Sequence, residues 1–332
     1  MLTVLENLRE TMKADGHPDR FVNPFEFMKI LGPDLYYMGD YPLGPGKEGK
    51  DQFGVLWRFP EDQMGAFPVH DAEHKVINGD LENWREKITH IPYAPPAPEY
   101  WGMLNGIAAS TDTENQFVTA FFTQGIFERY HSLMGVDDAL LSFYTEPDEA
   151  HALIDFLTEC ELDFAKQIMD HVPSVRCLFH HDDWGSAINS FMSPDMFDEF
   201  ITPAYKKIYG YWHERGVEIV VHHSDSYAAN LVPSMIEMGM DIWQGCFPSN
   251  NLPELLEKYR GQITFMGDIE TRYIDLPDWT PERVREAVEE SCRRCKGPSF
   301  IPCLTAGGNS SINPGVYECV SAEIDRMSKI LF

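Results

Sequence analysis

The chain has 332 residues, enough for two average domains or one large α/β barrel, and its 43% hydrophobic content supplies a full core. With 26 basic against 53 acidic residues the formal net charge is −27, a surface that repels a phosphate backbone and so excludes nucleic acid as a partner. No stretch approaches the roughly 18 uninterrupted apolar residues of a membrane span, and seven scattered cysteines argue for reduced thiols in a cytoplasmic protein, not for a disulfide framework.

The opening MLTVLENLRETMKADG has the pattern of an amphipathic helix rather than of a signal peptide. YPLGPGKEGKD and IPYAPPAPEY are rich in proline and glycine, so short elements joined by long loops are expected there. Residues 1–110 are read as an irregular elaboration within a single domain spanning 1–332. From Phe117 the pattern becomes orderly. FVTAFF reads as a buried strand, and DEAHALIDFLTECELDFAKQIMDH as a long amphipathic helix with acidic residues in its first turn. VRCLFHH is the next strand, ending in Asp182 and Asp183. A helix follows with Ser193 as N-cap and Pro194 at its first position, a second start at Thr202 and Pro203, and a stop at Gly216.

The alternation continues. VEIVVHH precedes the helical AANLVPSMIEMG, DIWQGC precedes LPELLEKYRG, ITFMGDI precedes a helix starting near Thr280 and Pro281, and FIPCLTA precedes YECVSAEIDRMSKI. Short apolar strands alternating with helices predict parallel βαβ units. No GxGxxG or GxxxxGK[ST] follows any strand, so neither a dinucleotide fold nor a phosphate loop is signalled. The expected fold is a (β/α)8 TIM barrel.

In such a barrel the reacting groups sit where strands end. These ends carry Asp182 and Asp183, His222 and His223 with Asp225, Gln244, Asp268 and Cys303. Zinc takes imidazole nitrogen, thiolate sulfur and carboxylate oxygen, and a catalytic zinc keeps three protein ligands. His223, Asp225 and Cys303 supply one of each, and His-x-Asp places two side chains on one face of an extended segment. A histidine pair at a strand end is equally compatible with hydrogen-bonded structure, and Cys303 with an ordinary buried thiol. Asp182 and Asp183 are read as an acid–base pair or as loop-fixing groups. Trp184, His222, Gln244 and Asp268 are expected to line the substrate side. Cys292 and Cys295 form a CxxC late in a predicted helix with no second pair nearby, which reads as structural.

The run from FVTAFFTQGIFERYHSLMG through TEPDEAHALIDFLTE, HHDDWGSAINSFMSPDMFDEFITPAYKKIYGYWHERGVEIVVHHSDS, LVPSMIEMGMDIWQGC and FMGDIETR resembles the uroporphyrinogen decarboxylase superfamily over about the last two-thirds of the chain. The resemblance implies a (β/α)8 barrel with a cleft at the carboxyl ends of its strands. DRFVNPFEFMKI lacks the Arg-Gln-Ala-Gly-Arg run of the true decarboxylases, so uroporphyrinogen decarboxylation, a step of porphyrin biosynthesis, is the alternative expectation. The other branch comprises corrinoid-dependent methyltransferases, which hold zinc through a His-x-Cys pair and a late cysteine. His223 and Cys303 match that pattern, whereas Asp225 replaces the middle cysteine by a harder donor, which suits demethylation of a methyl ether or amine better than activation of a thiol.

The resemblance thus implies a zinc-assisted methyltransferase moving a methyl group between a small O- or N-methylated compound and a corrinoid held by a separate carrier protein. Homodimers are common among these barrels. A relative that binds a small molecule without catalysis is a third expectation.

Overall fold

The computed structural model describes residues 1–32, 41–63, 65–79, 81–88 and 96–332; the start of the proline-rich IPYAPPAPEY, residues 91–95, lies outside them. Seven parallel strands form the main sheet: β1 (Met28–Ile30), β5 (Phe117–Phe122), β6 (Cys177–His181), β7 (Ile219–His223), β8 (Ile242–Cys246), β9 (Thr264–Ile269) and β10 (Phe300–Leu304), in that spatial order. Six of them are the apolar runs read from the sequence. The seventh, β1, is three residues inside the irregular N-terminal region, too short to show a period. Between β1 and β5 the chain forms a separate antiparallel sheet of β2 (Glu48–Lys50), β3 (Leu56–Arg58) and β4 (Phe67–Pro68).

Strand alternation sorts the side chains into two cores. Val118, Leu178, Val220, Trp243 and Phe265 pack outward against the helices. Phe117, Cys177, Phe179, Ile219, Val221, Ile242, Met266, Ile301 and Cys303 pack inward together with Leu5 and Leu8 of the first helix, Val4–Met12. That helix measures how far the sheet curls. Its start is tied to Asn115, just before β5, by Val4 N–H donating to Oδ1, and its end to Ser299, just before β10, by Ser299 N–H donating to the Thr11 carbonyl. Five strand steps of about 4.8 Å would separate β5 from β10 by roughly 24 Å in a flat sheet, yet nine helical residues span only about 13.5 Å. The sheet therefore bends round on itself like most of a barrel, and the first helix lies across its amino end.

The helix boundaries follow the capping chemistry read from the sequence. Ser193 Oγ accepts from Met196 N–H ahead of helix Pro194–Phe200, and Thr280 Oγ1 accepts from Arg283 N–H ahead of helix Pro281–Arg294. A 25-residue helix, Pro147–His171, covers the outside of β5 and β6.

A buried ion pair fastens the antiparallel sheet to the barrel. Asp51 accepts from the backbone of Phe53 and Val55 and from Trp57 Nε1, and its carboxylate meets Arg129 of helix Ile126–Met134 with both side chains fully buried. Removing Asp51 takes a buried counter-charge from Arg129. Asp51→Ala is accordingly expected to cost about 3–5 kcal/mol, measured as a lower urea midpoint at unchanged slope.

Candidate metal centre and active site

Register brings the site together. Cα of His181, the last residue of β6, is level with that of His223, the last residue of β7, and His223 is level with Gln244 of β8. All three belong to the inward-facing set by alternation, and the two imidazole rings lie 4.5 Å apart edge to face. Asp183, two residues beyond His181, returns to the same face. Among the described residues His181, Asp183 and His223 form a set whose ligating atoms all lie within 4.8 Å of one another. His181 and Asp183 each keep 29% of their side-chain surface exposed, so a solute can reach them.

Hydrogen bonds on the far side of each ring decide which nitrogen is offered. His181 Nδ1 lies 3.1 Å from the Thr123 carbonyl, which can only accept, so Nδ1 carries the hydrogen and Nε2 faces the cluster. Nε2 is buried with no hydrogen-bond partner; Asp183 Oδ2 is 3.5 Å and Glu128 Oε1 3.7 Å away. Gln244 performs the same service for His223. Its Nε2 donates to the carbonyls of Leu304 and Ala306 at 3.2 and 3.3 Å, which fixes the amide so that Oε1 accepts from His223 Nδ1. Both imidazoles thus turn Nε2 inward, a nitrogen that can coordinate once it is free of its proton. Two imidazole nitrogens and one carboxylate within this span, with an orphaned buried nitrogen among them, are a donor set that fits zinc or another first-row divalent ion.

The charge balance points the same way. Three carboxyl groups, Glu128, Asp183 and Asp225, surround one basic imidazole. Burial pulls His181 down, but Glu128 and Asp183 more than reverse it, raising its pKa to about 10. Burial works against the Asp183 carboxylate, yet His181, His223 and the Asp225 N–H at 3.0 Å hold it well below the ordinary range. Burial, aided by Asp183, pushes Asp225 up to about 8 and Glu128 well above its usual value. His223 is neutral, driven to about 4 by burial and by His181. The metal-free site therefore holds protons where a divalent ion would hold positive charge.

Asp182 and its neighbours lie behind this cluster. Its carboxylate is fully buried and accepts from Phe127 N, Glu128 N, Trp184 Nε1 and Tyr205 Oη at 2.6–2.9 Å. It satisfies the first turn of helix Ile126–Met134 and so fixes the turn that carries Glu128. Asp182 thus makes the hydrogen bonds of a loop-fixing group and has no surface in contact with solvent. His222 points outward, as alternation requires. Its Nδ1 meets Tyr209 Oη at 2.5 Å, its Nε2 donates to the Asp182 carbonyl at 3.0 Å, and its ring stacks on Trp184 with centroids 4.0 Å apart. His222 and Trp184 are both fully buried, so neither meets a solute.

Asp268, also expected to line the substrate side, instead receives Arg294 Nη2 at 2.7 and 2.8 Å and Cys295 Sγ at 3.6 Å, anchoring helix Pro281–Arg294. Cys303 faces inward, but its sulfur is 3.9 Å from Gln244 Nε2 and burial holds its thiol strongly protonated. Neither Cys303 nor Asp225 is among the converging ligand atoms. His181 and Glu128 are the groups missed in the sequence. The signal for His181 was present: two parallel strands ending in His-His, followed by Asp-Asp in one and Ser-Asp in the other, align His181 with His223.

Two glycines lie close against the site. A Cβ at Gly125 would sit 2.2 Å from Tyr205 Oη and 2.6 Å from Asp182 Cβ; one at Gly307 would sit 3.1 Å from the His223 ring. Gly125→Ala should displace the Glu128 turn and destabilise the fold. Gly307→Ala should leave the melting temperature nearly unchanged while weakening metal affinity by shifting His223, a contrast read by calorimetry on the two variants.

A curled parallel α/β sheet with its polar, ligand-bearing residues at the carboxyl ends of the strands defines a strand-end active site of barrel type. The chain belongs to the uroporphyrinogen decarboxylase (URO-D) family, whose model matches residues 105–316. No curated protein matches it in sequence. Among solved structures it is similar to a methyltransferase from Methanosarcina mazei, with 13% identity and TM-score 0.62 over 83% of this chain and 76% of that one. It also overlaps 70% of its length with 65% of a B12-independent methionine synthase from Shewanella sp. W3-18-1, at 14% identity and TM-score 0.45. The first of these likenesses supports the fold.

Proposed function

We propose that this protein is a metal-assisted methyltransferase that moves a methyl group between a small O- or N-methylated compound and a corrinoid carried by a separate protein. The observation that carries the reading is the convergence of His181, Asp183 and His223, with the Glu128 carboxyl, pushed well above its usual pKa by burial, 3.7 Å from His181 Nε2. We place His181 and Asp183, in preference to Asp225 and Cys303, next to His223 as the ligands of a zinc ion. The bound ion would supply Lewis acidity at the heteroatom that carries the methyl group.

The chain's own residues supply the rest. Glu128, fixed by Asp182 through its backbone N–H at 2.7 Å, holds a proton at the edge of the cluster and gives it to the oxygen or nitrogen that loses its methyl group. Asp225, protonated at neutral pH, shares hydrogen with Asp183 and keeps that carboxylate oriented. Gln244 keeps His223 in the tautomer that coordinates.

Decarboxylation of uroporphyrinogen, the reaction in the family's name, needs several cationic groups to receive carboxylates. Here the cations near the cluster, His181 and Arg272, are matched by three carboxyl groups, Glu128, Asp183 and Asp225, which disfavours that reading. Closure of the sheet into a complete (β/α)8 barrel within a single domain, and residence in the cytoplasm, belong to the same proposal. The seven cysteines are all free thiols, and among the described residues no helix is long and apolar enough to cross a membrane.

Metal analysis tests the ligand assignment. Purified protein should hold one zinc per chain, lost in His181→Ala and in His223→Ala but kept in Cys303→Ser; loss in Cys303→Ser with retention in His181→Ala would contradict it. Proton linkage gives a second check. Because His181 is protonated up to about pH 10 in the metal-free protein, each ion must displace that proton, so affinity should rise about tenfold per pH unit from 6 to 8 for each proton released. Calorimetry in buffers of different ionisation enthalpy should count at least one proton per ion. Methyl transfer to free cobalamin in its cob(I) state, assayed with methoxylated and methylamine donors, tests the reaction itself.

A further inference from the structure

Arg272 follows the end of β9 by three residues and takes no part in the chemistry above. The backbone that carries it is tied to the end of β10. Thr271 Oγ1 accepts from Ala306 N–H at 2.9 Å, and Thr271 N–H donates to Thr305 Oγ1 at 3.1 Å. Gly307, next after Ala306, lies against the His223 ring. Arg272 is therefore held at the carboxyl ends of the strands, next to the segment that meets His223.

From there its side chain leans across the end of β8. The guanidinium carbon is 5.1 Å from the centroid of the ring of Phe247, which directly follows β8, and 5.7 Å from that of Tyr273. The Phe247 turn is joined in its turn to the loop after β7. Asn250 Nδ2 donates to the carbonyls of Phe247 and Ser226, and Asn250 Oδ1 accepts from Ala228 N–H. Arg272 thus reaches toward the loop that carries Asp225. Electrostatics agree with this placement: burial and Asp183 drive the Asp225 carboxyl up, and the Arg272 charge opposes them.

The two rings and Glu270, whose carboxylate pairs with Nη2, restrain a side chain that is otherwise free to move. Even so, 53% of the Arg272 side chain is exposed, and its Nε and Nη1 donate to none of the described residues. A restrained cation with donors to spare, open to solute, is a preorganised site for an anion. The planar guanidinium suits carboxylate or phosphate. A phosphate dianion would bring two charges to an arginine already shared with Glu270 and close to Asp225, which leaves a monoanion as the better match. We propose that Arg272 is a specificity-determining residue that receives a single carboxylate on the methylated substrate, making that substrate a small methoxylated or methylamino acid whose methyl-bearing heteroatom lies toward His181 and His223. The inference rests on the methyl-transfer reading for which end of the substrate reacts; binding alone tests the selection of charge.

The probes are methoxyacetate, 3-methoxybenzoate and 4-methoxybenzoate, each beside its neutral carboxamide, titrated by calorimetry into the zinc-loaded full-length protein. At least one acid should bind about tenfold more tightly than its carboxamide, the share of one charge-assisted hydrogen bond at a half-exposed site. Arg272→Gln should abolish that preference with zinc content and melting temperature unchanged. Arg272→Lys, which keeps the charge without the planar fork, should restore part of it. Carboxamides that bind as well as the acids, no binding of any acid, or a preference that persists in Arg272→Gln and so belongs to the zinc ion, each overturns the proposal. A preference lost in Arg272→Gln, with no methyl transfer from any acid to cob(I) cobalamin, would sink the reaction and leave this residue's role intact. Transfer at equal kcat/KM from acid and carboxamide would do the reverse.

Discussion

Parallel strand register is the constraint on which this molecule turns. Residues level with one another on neighbouring parallel strands point to the same face, so a histidine at the end of β6 and one at the end of β7 must meet once His181 is paired with His223. The same pairing sends His180 and His222 to the opposite face, where their rings stack 5.7 Å apart among Tyr205, Tyr209 and Trp184. Four histidines in two His-His pairs thus divide by parity alone into two that can hold a ligand and two that hold the wall.

The wall determines how precisely the cleft is shaped. Asp182 leaves water completely and is repaid by four donors, which makes it a clamp on the helix that carries Glu128, Arg129 and His131. Arg129 in turn grips Asp51 and with it the antiparallel sheet. One helix therefore links the His181–Asp183–His223 cluster to the N-terminal elaboration. A buried polar network of this kind adds little net stability, but each of its members is costly to disturb, which restricts the positions Glu128 can take. The elaboration that looked irregular in sequence supplies Asp51, and so takes part in holding the helix that carries Glu128.

Six barrel strands and most helix starts were legible in the sequence because their cause is local: apolar runs of five or six residues, Ser193 and Thr280 as caps, Pro194 and Pro281 at first helical positions. β1 and the three strands of the antiparallel sheet were not, since two or three residues carry no period. His223 was recognised as a site residue, and so was Asp183, though as an acid or base and not as a ligand. The third member of the converging set, His181, depended on register, which a single sequence does not state. Cys303 drew attention as a thiolate donor at a strand end and through a family resemblance, yet Gln244, two strands away, occupies the space beside its sulfur. Asp182 and Asp183 could not be told apart by type; the structure separates them by the direction in which consecutive residues point.

The most direct test is the first coordination shell of the bound ion. X-ray absorption at the zinc edge of the loaded protein should show two imidazole nitrogens and a carboxylate oxygen at about 2.0–2.2 Å, with no sulfur. A scatterer fitting one thiolate at about 2.3 Å, lost in Cys303→Ser, would mean that the ligands are those of the far strand and that His181 and Asp183 serve some other purpose.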